Sequence, residues 1–229
     1  MRTLQEPISL SAVIPTLDEA DRLSEALAAL QPLTAEIVVA DGGSADDTPS
    51  IAKAAGALVV NAPRGRGSQL RAGAGAATGD WLLFLHADCR LGTGWEEAVR
   101  AFVAAPEAAG RAGYFAFALD DPGPAARRLE RIVRWRCSLL ALPYGDQGLL
   151  ISRLLYHEVG GFAAIPLMED VDLVRRLGRR RLAPIPVPLY SSARRYRAEG
   201  YLRRTLRNLL CLSLYVAGVK PRHIARLYG

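Results

Sequence analysis

Over the first ninety residues, short and nearly continuous apolar runs alternate with amphipathic stretches, the pattern of βα units that feed a parallel sheet. Four strands are predicted: ISLSAVIPT (8–16), EIVVAD (36–41), ALVVNAP (57–63) and WLLFLHAD (81–88). Such runs imply cover on both faces. Between them, DEADRLSEALAAL places Leu23, Leu27 and Leu30 on one helix face. TPSIAKAAG opens a second helix, with Thr48 at a cap and Pro49 at the first helical position. Asp18 and Glu19 follow the first strand, Asp41 ends the second and Asp88 ends the fourth. The carboxyl edge of the sheet, where open α/β sheets bind ligands, is therefore acidic.

Beyond residue 90 the pattern loosens. GWEEAVRAFVAAP reads as a helix, and the alternation in RAGYFAFALD (111–120) as a half-exposed antiparallel strand. PAARRLERIVRWRCSLLALPYG sets Leu129, Ile132, Val133, Leu139 and Leu140 against five arginines, a basic amphipathic helix. GDQGLLISRLLYHEVGGF is a strand running into a short helix, and IPLMEDVDLVRRLGRR a loop that opens a helix at Glu169 and Asp170. RLAPIPVPLYSSARRYR carries a proline-interrupted edge strand. A helical region runs from Gly200 to the end. No internal repeat or long linker divides the 229 residues, so they read as one domain in three stretches, 1–120, 121–199 and a C-terminal helical region 200–229.

Composition excludes several classes. Half the residues are hydrophobic and 23% charged, ordinary globular usage that rules out disordered, collagen-like and coiled-coil chains. The net charge of +6 is unevenly spread: residues 1–120 hold 9 basic and 15 acidic side chains, residues 121–229 hold 20 and 8, and only Lys53 and Lys220 are lysines. The basic segments 127–136 and 194–207 are either a solvated face or a surface for phosphate, on a ligand or a membrane. Cys89, Cys137 and Cys211 have neither disulfide nor zinc spacing, which fits a reducing cytosol. Glu6 and Pro7 interrupt the N-terminus where an export signal needs an apolar stretch. The longest apolar run, Leu209 to Val219, falls short of the ~20 residues that cross a bilayer. It can lie on a membrane surface or bury in a homodimer.

Three segments carry chemistry. Asp41-Gly42-Gly43-Ser44 sits between a strand and a helix, where backbone N–H groups and a carboxylate can face a ligand or simply make the turn. RGRGSQLRAGAGAATGDWLLFLHAD supplies Arg66 and Arg71 for a diphosphate, small residues for close approach, and His86-Ala87-Asp88 at a strand end. Asp88 offers the hard oxygen that Mg²⁺ or Mn²⁺ prefers; His86 is a ligand or a structural histidine. Glu169-Asp170 at a helix start reads either as a capping pair or as a general base.

The ordered set SAVIPTLDEA, EIVVADGGSADDT, GRGSQLRAGAGAATGDWLLFLHAD, GDQGLLIS, GGF and MEDVDLVRRL resembles the family-two glycosyltransferases over about residues 9–180. Within them it is most similar to the small bacterial transferases found alongside radical-SAM and selenium-related proteins. The resemblance implies a GT-A fold, a Rossmann-like, mainly parallel sheet flanked by helices with a smaller antiparallel part. It also implies transfer of a sugar, usually with inversion, from a nucleoside diphosphate to an acceptor. By position, Pro15, Thr16 and Glu19 would border the nucleoside, Asp41 would bond the base, and Gly43, Ser44, Arg66, Arg71, His86, Ala87 and Asp88 would complete the nucleotide site. Asp41 inclines the reading to uridine. Asp88, with His86 where the family usually has a first Asp, would hold Mn²⁺ or Mg²⁺. Asp170, beside Glu169, would be the base. Tyr144, Gly145, Asp146 and Gln147, with Arg194, Arg195 and Tyr196, would form the donor and acceptor pocket, the arginines meeting the diphosphate.

Other classes stay open on the sequence. A nucleotidyltransferase shares this half-sheet but carries a Gly-rich basic loop after strand one, where this chain has PTLDEADR. A nucleotide-sugar-binding module without catalysis is suggested by His86. Nucleic acid is not an expected partner, because the basic half lacks interleaved aromatics and any known module. The expected partners are a nucleoside diphosphate sugar and an unidentified acceptor, with an anionic membrane surface and a second copy of the chain as further candidates. The expected location is the cytoplasm, peripheral at the inner face of the membrane if the basic half docks there.

Overall fold

The computed structural model describes residues 8–228; the part of the export reading that falls on residues 1–7 lies outside them. Eight strands form one sheet in the order β3-β2-β1-β4-β7-β6-β8-β5. The strands are β1 (Leu10–Thr16), β2 (Glu36–Asp41), β3 (Leu58–Asn61), β4 (Trp81–Phe84), β5 (Cys89–Leu91), β6 (Ala112–Leu119), β7 (Leu149–Ser152) and β8 (Leu182–Ser191). The first half holds helices α1 (Ala20–Leu30), α2 (Thr48–Ala54), α3 (Arg66–Ala76) and α4 (Trp95–Ala104). The second holds α5 (Pro124–Leu140), α6 (Arg153–Glu158), α7 (Glu169–Leu177), α8 (Arg194–Glu199), α9 (Tyr201–Val216) and α10 (Pro221–Tyr228).

β3, β2, β1 and β4 are mutually parallel, as the first ninety residues imply. Side chains alternate across the strands with period two, so Leu10, Ala12 and Ile14 enter one core layer while Val13 enters the other. The first layer packs under α1 and α4 through Leu23, Leu27, Trp95 and Val99. The second packs under α3, α6 and α7 through Leu70, Leu155, Leu173 and Leu177. The small residues of α3 have a structural reason: a Cβ on Gly73 would stand 2.5 Å from Val13 Cγ1, so only glycine lets this helix lie so close to β1.

From β1 the chain winds outward to β2 and β3, then returns to β4 on the other side, placing a crevice at the carboxyl ends of β1 and β4. Three expectations are corrected here. The strand expected over 81–88 ends at Phe84, its last pair being with Leu149, and residues 89–91 turn away to pair antiparallel with β8. The segment 111–120 is not half-exposed: β6 lies inside the sheet, parallel to β8 along its length, and α5 covers Phe117 and Leu119. β8 is second from the edge, although β5 covers only Leu189–Ser191; its prolines at 184, 186 and 188 share one parity, so their missing donors fall on one side of the strand. No helix among the described residues is long and apolar enough to cross a membrane.

Candidate functional site

The crevice opens into a cleft of about 500 Å³, within the range of small-molecule sites. Pro15, Thr16 and Glu19 from the end of β1 and His86, Ala87 and Asp88 from beyond β4 line it. Arg66 enters from the start of α3, and Asp170 from the first turn of α7. Tyr144 and Asp146 come from the loop before β7, and Arg195 and Tyr196 from α8. Residues far apart in sequence therefore converge. Asp41, Gly43, Ser44, Arg71, Gln147 and Arg194 do not line the cleft; Glu169 sits just behind it, and Gly145 begins the 3₁₀ turn Gly145–Gln147 that carries Asp146.

Asp41 is occupied by its own turn. Its Oδ1 accepts from Thr16 Oγ1 at 3.2 Å and Ser44 Oγ at 2.5 Å, and its Oδ2 from the N–H groups of Gly43 and Ser44 at 3.0 and 2.9 Å. Burial pushes its pKa up, but these bonds outweigh it and hold the carboxyl below its ordinary 3.8. Four bonds fill the acceptor capacity of a carboxylate. The same turn clasps the loop after β1, since Ser44 Oγ accepts from Asp18 N and Thr48 Oγ1 from Glu19 N, both at 2.9 Å. Its work is to position Thr16 to Glu19. Arg71 is exposed along α3, a turn beyond the end that meets the cleft.

Gln69 is a residue the sequence reading did not single out. Buried, it donates from Nε2 to the carbonyls of Thr16 at 2.6 Å and Ala40 at 3.1 Å, tying α3 to the ends of β1 and β2. Gly67, one residue past Arg66, has no room for a Cβ: it would strike the carbonyls of Ala163 and Ile165. The start of α3 is thus wedged between two strand ends and the loop that precedes α7, which aims Arg66 into the cleft.

Ligand atoms of His86, Asp88 and Cys89 lie within 4.8 Å of one another. Burial above all, with the charges of Arg66 and Arg195, holds the His86 pKa well below 6.5, so the imidazole is neutral with a free lone pair. Asp88 is one-third exposed, with Arg22 at 4.0 Å. Burial pushes the Cys89 thiol pKa up, and its Sγ stands 3.4 Å from Ser191 Oγ. A neutral imidazole beside an accessible carboxylate fits a divalent cation; the buried, protonated thiol is the poorer ligand.

Glu169, at the first position of α7, is 1% exposed, backed by a small apolar cavity lined by Phe84, Phe162 and Leu173. Burial, then the neighbouring Asp170, raises its pKa to about 7 against the pull of Arg66, whose Nε lies 3.6 Å away. Asp170 faces the cleft, its Oδ1 accepting from Val171 N at 2.7 Å. Asp146 is pushed up to about 6, chiefly by burial. Gln147 is a strut: its amide bonds Phe115 O at 3.1 Å and accepts from Arg136 at 3.1 Å, while Arg136 stacks 3.6 Å over the Tyr144 ring.

The C-terminal helices supply a wall that the sequence reading left out of the site. Arg204, Asn208 and Leu212 of α9 and Tyr228 of α10 line the cleft, with Arg204 buried, paired to Glu199 at 3.0 Å and lying over the Tyr228 ring at 4.5 Å. Polar residues at i and i+4 in a leucine-rich helix were the available signal. Several arginines of the basic segments are likewise structural: Arg127 pairs with the buried Glu130 at 2.7 Å, and Arg197 with Asp121 at 3.1 Å.

A cleft at the switch point of a mainly parallel half-sheet, walled by carboxylates and arginines and carrying a His/Asp pair suited to a cation, belongs to a Rossmann-like α/β fold of the GT-A type. The chain belongs to glycosyl transferase family 2, whose model matches residues 11–166. It is 34% identical over 93 residues to a glucosyl-3-phosphoglycerate synthase of Mycolicibacterium paratuberculosis, covering 35% of this chain and 28% of that protein. It is 40% identical over 76 residues to a TPR repeat-containing protein of Synechococcus elongatus, covering 32% and 19%. The chain thus spans less than a third of the length of these curated relatives. Among solved structures, a mycobacterial protein superposes with a TM-score of 0.61 at 25% identity, over 91% of this chain and 75% of that one. Glucosyl-3-phosphoglycerate synthase from Mycobacterium tuberculosis, in complex with Mn²⁺, uridine diphosphate and glucosyl-3-phosphoglycerate, superposes at 0.58 with 21% identity, over 90% and 80%.

Proposed function

We propose that this chain transfers a sugar, with inversion, from a nucleoside diphosphate sugar to an acceptor hydroxyl. The observation that carries the reading is the convergence of Asp88, Asp146 and Asp170 with Arg66 and Arg195 on one cleft at the switch point. Asp170 takes the acceptor proton as the acceptor oxygen bonds to the anomeric carbon and the bond to the diphosphate breaks. Arg66 and Arg195 stabilise the negative charge that gathers on the leaving diphosphate. Asp88 and His86 would hold a divalent cation, Mn²⁺ or Mg²⁺, which when bound neutralises part of that charge. Glu169 holds Arg66 rather than touching substrate, and Pro15, Thr16 and Glu19 border the nucleoside.

Uridine is the favoured base and glucose the favoured sugar. Support comes from the relatives, since Asp41 is spent on its turn. The whole chain, 1–229, acts as one domain of the small bacterial subgroup, in a reducing cytoplasm at the inner face of a membrane. The three free cysteines are all buried, in keeping with that compartment.

The test is calorimetric titration with UDP, GDP, CDP and dTDP, each with and without Mn²⁺, followed by transfer assays. UDP binding strengthened by Mn²⁺ is expected, with Asp88→Ala abolishing the strengthening. Asp170→Asn should keep donor affinity within about twofold while losing ~10²-fold or more in transfer, the contribution typical of a general base. No binding to any diphosphate refutes the reading. Binding without turnover across acceptors leaves a binding module instead, and pyrophosphate release from a nucleoside triphosphate a nucleotidyltransferase.

A further inference from the structure

Of the twelve large hydrophobic residues exposed among the described residues, ten lie on α5, α9 and α10. On α5 they are Ile132, Trp135, Leu139 and Leu140, with Trp135 69% exposed. On α9 they include Leu202, Leu206, Leu209 and Leu210, at spacings that keep them on one face. The two helices touch, and Tyr201 at the start of α9 packs into the cluster under α5. So large an apolar exposure on one region marks an interaction surface rather than scattered surface leucines.

Charge names the occupant. The three helices contain a single acidic residue, Glu130, which is buried and neutralised by Arg127. Arg128, Arg131 and Arg134 on α5, Arg203 on α9 and Arg222 and Arg226 on α10 are exposed. A two-fold dimer through this face would set the same arginines against each other. Leucines flanked by cations, on helices whose one carboxylate is buried, fit the headgroup layer of an anionic bilayer, where the apolar stripe sinks below the phosphates; the carboxylates that border α9, Asp121 and Asp172, are each paired with an arginine. No described helix is long and apolar enough to span a membrane, so α5 and α9 would lie along its surface rather than cross it.

We propose that α5 and α9 dock on an anionic lipid surface and that the acceptor is a membrane-borne amphiphile. The second clause rests on the transferase reading above and on one further feature. At 3.6 residues per turn, Arg204, Asn208 and Leu212, which line the cleft, lie on the side of α9 opposite Leu202 and Leu206. One helix therefore separates the lipid-facing stripe from the catalytic cleft, and a headgroup beside α9 has a short path to Asp170.

The experiment is co-sedimentation of the full chain with phosphatidylcholine vesicles, with and without phosphatidylglycerol. Partitioning should require the anionic lipid, and at about 1 M salt, where screening acts within about 3 Å, it should fall about tenfold. The double variant Trp135→Glu, Leu206→Glu should lose a similar factor while its affinity for UDP, measured on the same preparation, stays unchanged. Failure of wild type to pellet, or equal pelleting by the variant, overturns docking. A concentration-dependent dimer broken by the same variant, without pelleting, assigns the face to a second copy and overturns it too. Wild type that pellets but binds none of the four diphosphates sinks the transferase reading and the second clause with it, and leaves docking standing. Vesicle-stimulated transfer to lipid-soluble rather than water-soluble acceptors supports the second clause; the reverse preference removes it.

Discussion

Glu169→Gln tests whether the buried acid behind the cleft is held at an electrostatic cost. Glu169 is 1% exposed and its pKa stands at about 7 against an ordinary 4.5. A carboxyl that keeps its proton more tightly in the folded than in the unfolded chain adds stability that is complete below about pH 4.5, declines through the interval and is gone above about pH 7. At 1.36 kcal/mol per pH unit the whole effect is about 3 kcal/mol, a large part of a typical domain stability of about 5–15 kcal/mol. Glutamine mimics the protonated side chain at every pH. The attraction of Arg66 at 3.6 Å already enters the value, so it is not subtracted again. Urea unfolding of both proteins from pH 4 to pH 8 isolates Glu169, because Asp146 and His86 titrate in both. The variant should match wild type near pH 4 and exceed it by about 3 kcal/mol at pH 8, worth roughly 6–12 °C in midpoint. Parallel curves, or a variant weaker than wild type at pH 8, would refute the argument.

Gln69→Ala strips both bonds that tie α3 to Thr16 and Ala40. The Thr16 carbonyl keeps its bond from the Gly42 N–H at 2.9 Å, so the loss is that of two buried hydrogen bonds, about 1–3 kcal/mol by chemical denaturation, together with weaker UDP binding as Arg66 loses its placement. Asp146 titrates at about 6, so without metal the cleft gains a negative charge as pH rises through that value. UDP affinity measured without metal should fall across this step, and Asp146→Asn should flatten it; an unchanged pH profile would place Asp146 away from the diphosphate.

How much was legible in the chain varies with the range of the interaction that decides it. The parallel half-sheet was readable because its strands are buried on both faces, and that burial prints uninterrupted apolar runs such as EIVVAD. The ordered motifs likewise sufficed for the family and for most of the charged lining of the cleft, since Glu19, Asp88 and Asp170 sit at element ends where the sheet brings side chains together. Boundaries and neighbours were another matter. β6 reads as an alternating, half-exposed strand because alternation is a local property; its second cover, α5, follows it in sequence but is brought over Phe117 and Leu119 only by the fold.

The same distinction separates Asp41 from Arg204. A carboxylate before two glycines looks the same whether it faces a ligand or its own turn, and only the folded turn shows its bonds already taken, three by Gly43 and Ser44 and the fourth by Thr16, 25 residues earlier. Arg204 belongs by composition to a basic surface segment, yet the return of α9 across the cleft buries it beside Tyr228 and leaves the leucines of the same helix outside. Sequence determined which residues could carry charge, cation or proton. Tertiary structure decided which of them share one volume with a substrate, because that depends on contacts between segments far apart in the chain.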